Sequence, residues 1–244
     1  DGAPAAVALD IEKAFDTLNW QSLHTVMATM RFGPYYTRWV HTLYKDPQAR
    51  VKTGHIFSDN FSIHRGTRQG CQLSPMIFAL AMEPLACHLH RRALVWGIEV
   101  SEVSHIISLH ADDALVYLRD PLNSLPGLMT ILEDFGKMLG LKVNWSKSCI
   151  FPLRYTPPPI RIPTPHIQLK WEYDTFKYLG INIYHTIPDL IEGNIHRAVR
   201  SIRGSMRFWL SLPLSPMGRV SISKMLILPR LLYYFSAIAL PTAQ

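Results

Sequence analysis

The sequence is poor in cysteine, and its few cysteines are widely spaced. It has three in 244 residues, Cys71, Cys87 and Cys149, and none of them forms a Cys-x-x-Cys pair with another. This spacing argues against a structural zinc site and against a disulfide framework. It predicts reduced thiols in an intracellular protein that does not require zinc.

Long apolar runs are also missing. Hydrophobic residues make up 48% of the chain, yet no apolar segment approaches the ~20 residues that span a bilayer. We therefore expect no membrane partner. Residues 1–4 include neither a methionine nor the start of a signal peptide, which predicts a piece of a longer polyprotein. No internal repeat is evident, and the length suits one large core or a domain and a half.

Acidic residues are outnumbered by basic ones. The chain has 18 acidic and 25 basic side chains, which gives a formal net charge of +7 at pH 7. Such a surplus favours a polyanionic partner such as nucleic acid. Many proteins without such a partner are equally basic, so the charge only supports this interpretation.

The aspartates that are present lie at the ends of apolar segments. Asp112 and Asp113 separate residues 106–109 from residues 114–118, and this pattern predicts two short buried strands joined by a tight turn. Asp10 directly follows another apolar run, which predicts a third strand. Carboxylate oxygens at such a position suit Mg²⁺. Two such ions about 3.5–4 Å apart can serve an in-line displacement at phosphorus. The alternative for a single Asp-Asp pair is a solvated turn or a helix cap.

A glycine-rich loop at residues 65–75 opens into an apolar helix. Ser74 and Pro75 suit the N-cap and the first turn of that helix. The glycines would let a bound nucleotide approach the backbone, and Gln69 offers both a donor and an acceptor. The alternative is an ordinary glycine-rich loop before a helix.

The coarse pattern alternates strands with helices and predicts an α+β fold. Residues 50–53 and 61–64 alternate in hydrophobicity and are predicted to pair as a hairpin. Residues 152–165 hold six prolines and predict a surface loop. Helical periodicity predicts four helices, at residues 20–30, 35–44, 75–92 with a kink at Pro84, and 124–139 with a cap at Gly140.

The order of these segments resembles the reverse transcriptase of LINE-type, non-LTR retrotransposons over nearly the whole chain. Five segments are similar to the successive palm motifs of that family, namely residues 8–16, 65–75, 110–113, 140–148 and 176–180. Residues 209–229 resemble its thumb. The resemblance implies an antiparallel palm sheet covered by helices on one face, followed by a helical thumb. It places the palm at 1–186, with the fingers largely missing, and the thumb at 187–244.

The resemblance also implies an activity. It predicts an RNA-directed DNA polymerase that extends a DNA primer 3′-hydroxyl on an RNA template with dNTPs and two Mg²⁺ ions, with Mn²⁺ as an alternative. The reaction would serve retrotransposition of a transposable element by target-primed copying. An endonuclease and the fingers are expected in the full-length protein, which would be nuclear and cytoplasmic.

The resemblance assigns roles to individual residues. It implies catalytic metal ligation by Asp10, Asp112, Asp113 and the Ile11 carbonyl. It implies a nucleotide pocket at Phe15, Arg68, Gln69 and Gly70, and a primer grip at Tyr178, Leu179 and Gly180. Phe15 would pack beneath the incoming sugar, or in the core, or both. Lys147 or Lys142 would stabilise or protonate the departing pyrophosphate.

Two residues depart from the family pattern. His110 stands where the family has Tyr or Phe, and Gln72 replaces a common proline. An imidazole beside the acids adds a polar group and, when protonated, a positive charge. Altered fidelity or activity is therefore expected.

The segment 189–210 is predicted to be an amphipathic helix. Its apolar face comprises Ile191, Ile195, Val199, Ile202, Met206 and Trp209. Its basic face comprises Arg197, Arg200, Arg203 and Arg207, which would contact phosphates unless they form a solvated surface.

Other interpretations remain at this point. A group II intron-type maturase or a telomerase is a related alternative. From a different class, the chain could be a catalytically inactive or domesticated palm that only binds nucleic acid. A polymerase requires the three aspartates and a metal ion for turnover, whereas a binding protein tolerates their neutralisation.

Overall fold

The computed structural model describes residues 3–91, 94–154 and 169–238. The chain divides into two compact units, the first ending at Trp171 and the second beginning at Glu172. The predicted proline-rich loop falls largely on residues outside these ranges. The functional boundary after residue 186 stays a prediction. Within the described ranges, every helix is too short or too polar to cross a bilayer.

The first unit is a mixture of helices and short strands. In chain order these are β1 (Ala5–Leu9), α1 (Ala14–Thr17), α2 (Trp20–Thr29), α3 (Pro34–Leu43), β2 (Gln48–Ala49), β3 (Lys52–Thr53), β4 (Ile56–Phe57), β5 (Phe61–Ser62), α4 (Ser74–Arg91), β6 (Ile98–Val100), β7 (Val103–His105), β8 (Ile107–His110), β9 (Asp113–Leu118), α5 (Pro121–Leu139), β10 (Cys149–Pro152) and β11 (Lys170–Trp171). The helices predicted from periodicity are present, each within a few residues of its expected bounds.

The central sheet of this unit has the strand order β11-β10-β1-β9-β8. Strand β1 lies in the middle and pairs antiparallel with β9 and with β10. Alternate residues of β1, namely Ala5, Val7 and Leu9, join a buried cluster with side chains of α2, α4 and α5. Small and β-branched residues suit this position, because they fit a pleated strand against packed helices.

Helix α5 illustrates how local sequence sets the ends of these elements. The Asp120 side chain accepts a hydrogen bond from the Asn123 N–H at the start of the helix. Gly140 follows the last turn with φ 77°, the left-handed conformation that glycine adopts without strain. The helix therefore ends where its sequence predicts, directly before the segment that supports the acidic site.

A β-ribbon formed by residues 48–62 projects from the first unit, and it is paired differently from the expectation. Strand β2 pairs with β5, and β3 pairs with β4, so residues 50–53 do not pair with residues 61–64. The chain reverses at Gly54, whose φ is 60°. The position of this turn, which hydrophobic alternation does not report, sets the register. The hairpin predicted from alternation was therefore wrong in its pairing.

The second unit is a hairpin followed by helices. Its elements are β12 (Thr175–Tyr178), β13 (Ile181–Tyr184), α6 (Ile187–Ile191), a π-helical turn (Glu192–His196), α7 (Arg197–Leu210), α8 (Pro216–Ile222), a second π-helical turn (Ser223–Ile227) and α9 (Leu228–Ala237). The predicted helix at 189–210 is thus interrupted by a π turn, which rotates the side chains that follow it. Ile195 and Ile202 are buried as predicted, whereas Met206 is 40% exposed.

Asn194 explains how the first π turn is held. It is only 2% exposed. Its side-chain amide donates to the carbonyls of Asn182 and Leu190, and its side-chain oxygen accepts from the Asn182 N–H. A buried polar side chain is tolerated when its hydrogen bonds are made. The turn is therefore locked onto strand β13.

Candidate active site

The three predicted metal-binding aspartates lie at one end of neighbouring strands. Strands β1 and β9 pair so that Leu9 lies opposite Ala114. One step further along this antiparallel register, Asp10 therefore faces Asp113. Strand β8 reaches the same end, because His110 pairs with Asp113 across a turn that contains Asp112. The strand pairing thus brings carboxylates from distant segments of the sequence to the same end of the sheet.

The turn between β8 and β9 has a strained backbone. Ala111 has a φ of 53°. A residue with a Cβ pays roughly 1–2 kcal/mol for this left-handed conformation. The turn nevertheless holds Asp112 half-buried beside the strand ends. Its shape therefore depends on the pairing of the two flanking strands.

The acids influence one another electrostatically. Burial raises the pKa of Asp113 above its ordinary value, and the neighbouring Asp112 and Asp10 carboxylates raise it further. His110 acts in the opposite direction and lowers the pKa of Asp113. A divalent cation would relieve repulsion of this kind. The donor set consists of the hard oxygens that Mg²⁺ prefers, so its chemistry fits the ion.

The spacing of these side chains fits a metal ion less well than their ligand chemistry does. Within the described ranges, no group of three or more His, Cys, Asp or Glu side chains is close enough to form a metal-binding cluster. Metal ligation by Asp10, Asp112, Asp113 and the Ile11 carbonyl therefore stays a prediction.

Asp10 is held in place by residues 144–148, which belong to the fourth segment that resembles a palm motif; the contact itself was not predicted. Its N–H donates to Ser148 Oγ at 3.1 Å, and the Ser148 hydroxyl donates to the Asn144 carbonyl at 2.8 Å. The Asn144 N–H returns to the Asp10 carbonyl at 2.8 Å. Ser148 is 1% exposed. These contacts, named here the Asp10 clamp (Asn144 and Ser148), fix the backbone that carries the first carboxylate.

The two residues after Asp10 are also bonded to the segment that contains the Asp10 clamp. Ile11 forms an isolated antiparallel bridge with Val143. The Glu12 N–H donates to the Lys142 carbonyl at 2.8 Å. Lys142 and Lys147 both have exposed side chains. Their roles toward pyrophosphate stay predictions.

The glycine-rich loop is hydrogen-bonded to the segment that follows Asp10. The Gly66 N–H donates to the Leu18 carbonyl at 2.8 Å, and Trp20 Nε1 donates to the Gly66 carbonyl at 2.6 Å. Gly66 has a φ of 88°, and a Cβ there would lie 2.7 Å from the Asp16 carbonyl oxygen. Only glycine fits this close approach.

Ser74 acts differently from its prediction. Helix α4 begins at Ser74, and its hydroxyl donates to the Arg68 carbonyl at 2.6 Å. The serine therefore ties the loop to the helix start, where an N-cap side chain would instead accept from the helix backbone. Gly70 also has a positive φ, of 82°, but nothing lies within 4 Å of a Cβ placed there.

The predicted nucleotide-binding residues separate into two surroundings. Phe15 packs against Phe78 with a ring-centroid distance of 4.7 Å, which confirms core packing for this residue. Its contact with a sugar stays a prediction. Arg68 and Gln69 instead line a cavity of about 650 Å³, named here the loop cavity. Its other lining residues are Asp16, Trp20, Thr42, Leu43, Tyr44, Pro47, Gln48, Ala49, Ile63, Arg65, Gly66, Thr67, Cys71 and Leu73.

Tyr44 shows that this cavity is partly shielded from water. Burial raises the pKa of Tyr44, and nearby Arg68 acts to lower it. The Tyr44 ring lies 5.2 Å from that of Trp20. Sequence reasoning missed both aromatics as site residues. The sequence offered one weak signal for them, which is that Trp20 and Tyr44 lie at the ends of predicted helices that precede the glycine-rich loop.

The predicted primer grip is the turn of a hairpin in the second unit. Tyr178 pairs with Ile181, and the two residues between them have positive φ values, 47° for Leu179 and 79° for Gly180. Two consecutive positive φ values suit the twist of a two-residue hairpin. The Tyr233 hydroxyl donates to the Leu179 carbonyl. The predicted primer grip is thus a hairpin turn, and its contact with a primer stays a prediction.

The arginines of α7 are not equivalent. Arg200 donates to Glu192 at 2.7 Å, which lowers the pKa of that carboxyl together with His196. Arg197 lines a cavity of about 810 Å³ within the second unit, together with Lys177 and Arg230. Arg203 and Arg207 are exposed. Phosphate contact by all four stays a prediction.

Known proteins are similar to this chain in sequence and in fold. A family profile described as "Reverse transcriptase (RNA-dependent DNA polymerase)" matches residues 1–183. The "Transposon TX1 uncharacterized 149 kDa protein" of Xenopus laevis is 30% identical over 182 residues, which cover 72% of this chain and 13% of that protein. A Pol polyprotein from the retrotransposable element R2 of Popillia japonica is 24% identical over 236 residues, covering 93% and 32%.

The fold has relatives among solved structures. Apo telomerase from Candida tropicalis, truncated from its C-terminal domain, superposes with a TM-score of 0.53 at 14% identity. This match covers 75% of this chain and 34% of that one. It shows a shared polymerase-palm fold. The chain spans no more than about a third of the length of either protein relative named above. Because the family profile covers most of the sequence, this chain belongs to the reverse transcriptase family.

Proposed function

We propose that this chain carries the catalytic region of an RNA-directed DNA polymerase encoded by a non-LTR retrotransposon. The supporting observation is that Asp10, Asp112 and Asp113 lie at the same end of neighbouring strands, inside the region that matches the reverse transcriptase family. The similarity to the R2 and TX1 proteins supports the type of element.

The reaction joins a primer to a nucleotide. The primer 3′-hydroxyl oxygen attacks the α-phosphorus of a dNTP, and the bond to pyrophosphate breaks. Asp10, Asp112 and Asp113, with the Ile11 carbonyl, would hold two Mg²⁺ ions, or Mn²⁺ in their place. When bound, such ions lower the pKa of the hydroxyl and stabilise charge on the leaving group.

The chain's own residues would position these groups. The Asp10 clamp holds the first carboxylate from behind, and the β8–β9 turn presents Asp112. Arg68 and Gln69 would contact a nucleotide or the strand that pairs with it. Lys147 would assist the departure of pyrophosphate, because a nearby ammonium stabilises developing negative charge.

The proposed partners follow from the same activity. They are an RNA template, a DNA primer and dNTPs, with Tyr178, Leu179 and Gly180 at the primer. The arginines of α7 would contact phosphates. We further propose that the full-length protein adds an endonuclease and the fingers and acts inside the cell, in the nucleus and cytoplasm.

The test is primer extension on an RNA template with the chain expressed in its full reading frame. Asp112→Asn should abolish Mg²⁺-dependent extension and keep template-primer binding. Asp134→Asn is the matched control, because Asp134 is an exposed aspartate on α5 whose side chain is 70% accessible. Equal extension by wild type and Asp112→Asn would overturn the proposal. Binding without extension in wild type would favour the inactive nucleic-acid-binding palm.

A further inference from the structure

The ribbon formed by residues 48–62 carries an exposed aromatic flanked by cations. The Arg50 guanidinium carbon lies 4.2 Å from the centroid of the Phe57 ring, and Lys52 Nζ lies 5.3 Å from it. Phe57 is 44% exposed. In the part of the chain that the structure describes, neither cation forms a salt bridge with an acid. The ribbon thus presents a partly exposed ring with Arg50 and Lys52 packed beside it, and neither cation is paired with an acid within the described ranges.

The base of the ribbon opens onto the loop cavity. Gln48 and Ala49 of β2 line the cavity together with Arg65 and Arg68. Its volume of about 650 Å³ lies within the roughly 300–1,000 Å³ of small-molecule sites. Lining rings and guanidinium groups are the surfaces on which a nucleobase stacks. The cavity therefore suits one nucleotide.

The two features are close in sequence. Lys52 follows Ala49 by three residues, a separation of at most about 10 Å at roughly 3.3 Å per extended residue. That span corresponds to one or two nucleotides of an extended strand. A free nucleotide would fill the cavity and leave the ribbon unused. Within a duplex, the faces of internal bases are covered by their neighbours and are not open to Phe57.

We propose that the loop cavity and the ribbon together bind an unpaired stretch of the template strand. One base lies in the cavity, the adjoining base stacks on Phe57, and the phosphates between them contact Arg50 and Lys52. The identification of this strand as an RNA template rests on the proposed function, whereas the preference for unpaired nucleic acid does not.

The test compares two RNA–DNA duplexes by fluorescence anisotropy, one blunt and one with an RNA 5′ overhang of six nucleotides. The wild-type protein should bind the overhang duplex at least about tenfold more tightly, because stacking of a base on an aromatic side chain strengthens binding by about that factor. Phe57→Ala should lose most of this gain and leave blunt-duplex affinity unchanged. Phe57→Trp should restore it.

The matched control is Ile56→Ala. Ile56 is the next residue along the same strand, is 76% exposed, and points to the opposite face. Its truncation should leave the overhang gain intact, which separates stacking on Phe57 from damage to the ribbon. Arg50→Ala combined with Lys52→Ala should weaken overhang binding and reduce its salt dependence.

Three outcomes would overturn the inference. The first is equal affinity of wild type for the blunt and overhang duplexes. The second is a Phe57→Ala variant that keeps the full gain. The third is complete competition by a free dNTP, which would assign the cavity to the incoming nucleotide. Duplex binding is measured in EDTA, whereas dNTP competition on a 3′-blocked primer and primer extension are measured in separate reactions with Mg²⁺. Absence of extension with the overhang gain preserved would then count against the proposed activity alone.

Discussion

Removal of the Ser148 hydroxyl should detach Asp10, the first of the proposed metal-binding aspartates, from its support. In Ser148→Ala, the Asp10 N–H loses its acceptor at 3.1 Å. The Asn144 carbonyl keeps a donor, since the Ser148 N–H also bonds to it at 2.9 Å. One backbone donor is therefore left without a partner, rather than a whole network. This makes the variant a narrow perturbation.

The expected cost follows from that single donor. An unsatisfied buried donor costs about 1–3 kcal/mol. Asp10 is half-buried, so water can reach part of this group and the lower half of the range applies. Urea denaturation should therefore show a loss of about 1–1.5 kcal/mol in the free energy of unfolding. Ser146→Ala is the matched control, since Ser146 lies in the same turn but is exposed, and its hydroxyl donates to the Asn144 side chain.

The effect on activity should exceed the effect on stability. A displacement of about 1 Å at a reacting group can cost on the order of 10²-fold in rate. Single-nucleotide extension should therefore slow by roughly 10–100-fold in Ser148→Ala, and half-maximal rate should require more Mg²⁺. Ser148→Thr, which keeps a hydroxyl, should recover part of the rate. A Ser148→Ala variant that is less stable but keeps wild-type extension and Mg²⁺ dependence would refute the positioning role.

The structure supports three further predictions. Gly66→Ala should lower the free energy of unfolding by more than about 2 kcal/mol, because backbone strain of roughly 1–2 kcal/mol adds to a steric clash with Asp16. Gly70→Ala should cost only the backbone strain, because nothing lies near its added Cβ. Equal losses for the two variants in urea denaturation would contradict this. Burial and the neighbouring His41 imidazole lower the pKa of His24, so the free energy of unfolding should fall as the pH drops below about 6.5. In His24→Asn, the urea midpoint should change less between pH 7.5 and 5.5 than in the wild type. Arg203→Ala should reduce the slope of log binding constant against log salt concentration for template-primer by about 0.9. Arg200→Ala should change this slope less, because Arg200 is paired with Glu192. A larger change for Arg200→Ala than for Arg203→Ala would count against this.

The acidic site could be predicted because its determinants are local. Asp112 lies in a two-residue turn between apolar segments, and Asp10 directly follows the strand that pairs beside it. Gly140 likewise ends α5 as its sequence indicates. In each case, neighbouring residues carry the whole signal.

The features that were missed depend on distant or weak determinants. Ser148 contacts Asp10 across 138 residues of sequence, and nothing near a single serine predicts such a contact. The ribbon strands are two residues long and exposed, so hydrophobic alternation cannot fix their register. The π turn at Glu192–His196 depends on the hydrogen bonds of Asn194, which become visible only in three dimensions.

The strand order of the sheet has a dynamic consequence for the acids. Strand β1 is central and bonded on both sides, whereas β8 forms an edge. Amides of a central strand exchange with solvent only in large-scale openings, while edge strands open locally at a smaller free energy. Asp10 therefore sits on the least mobile strand and Asp112 on a hairpin that can fray independently. The separation between these carboxylates can thus fluctuate while the core stays folded, and binding of a shared cation would slow hydrogen exchange at β8 far more than at β1.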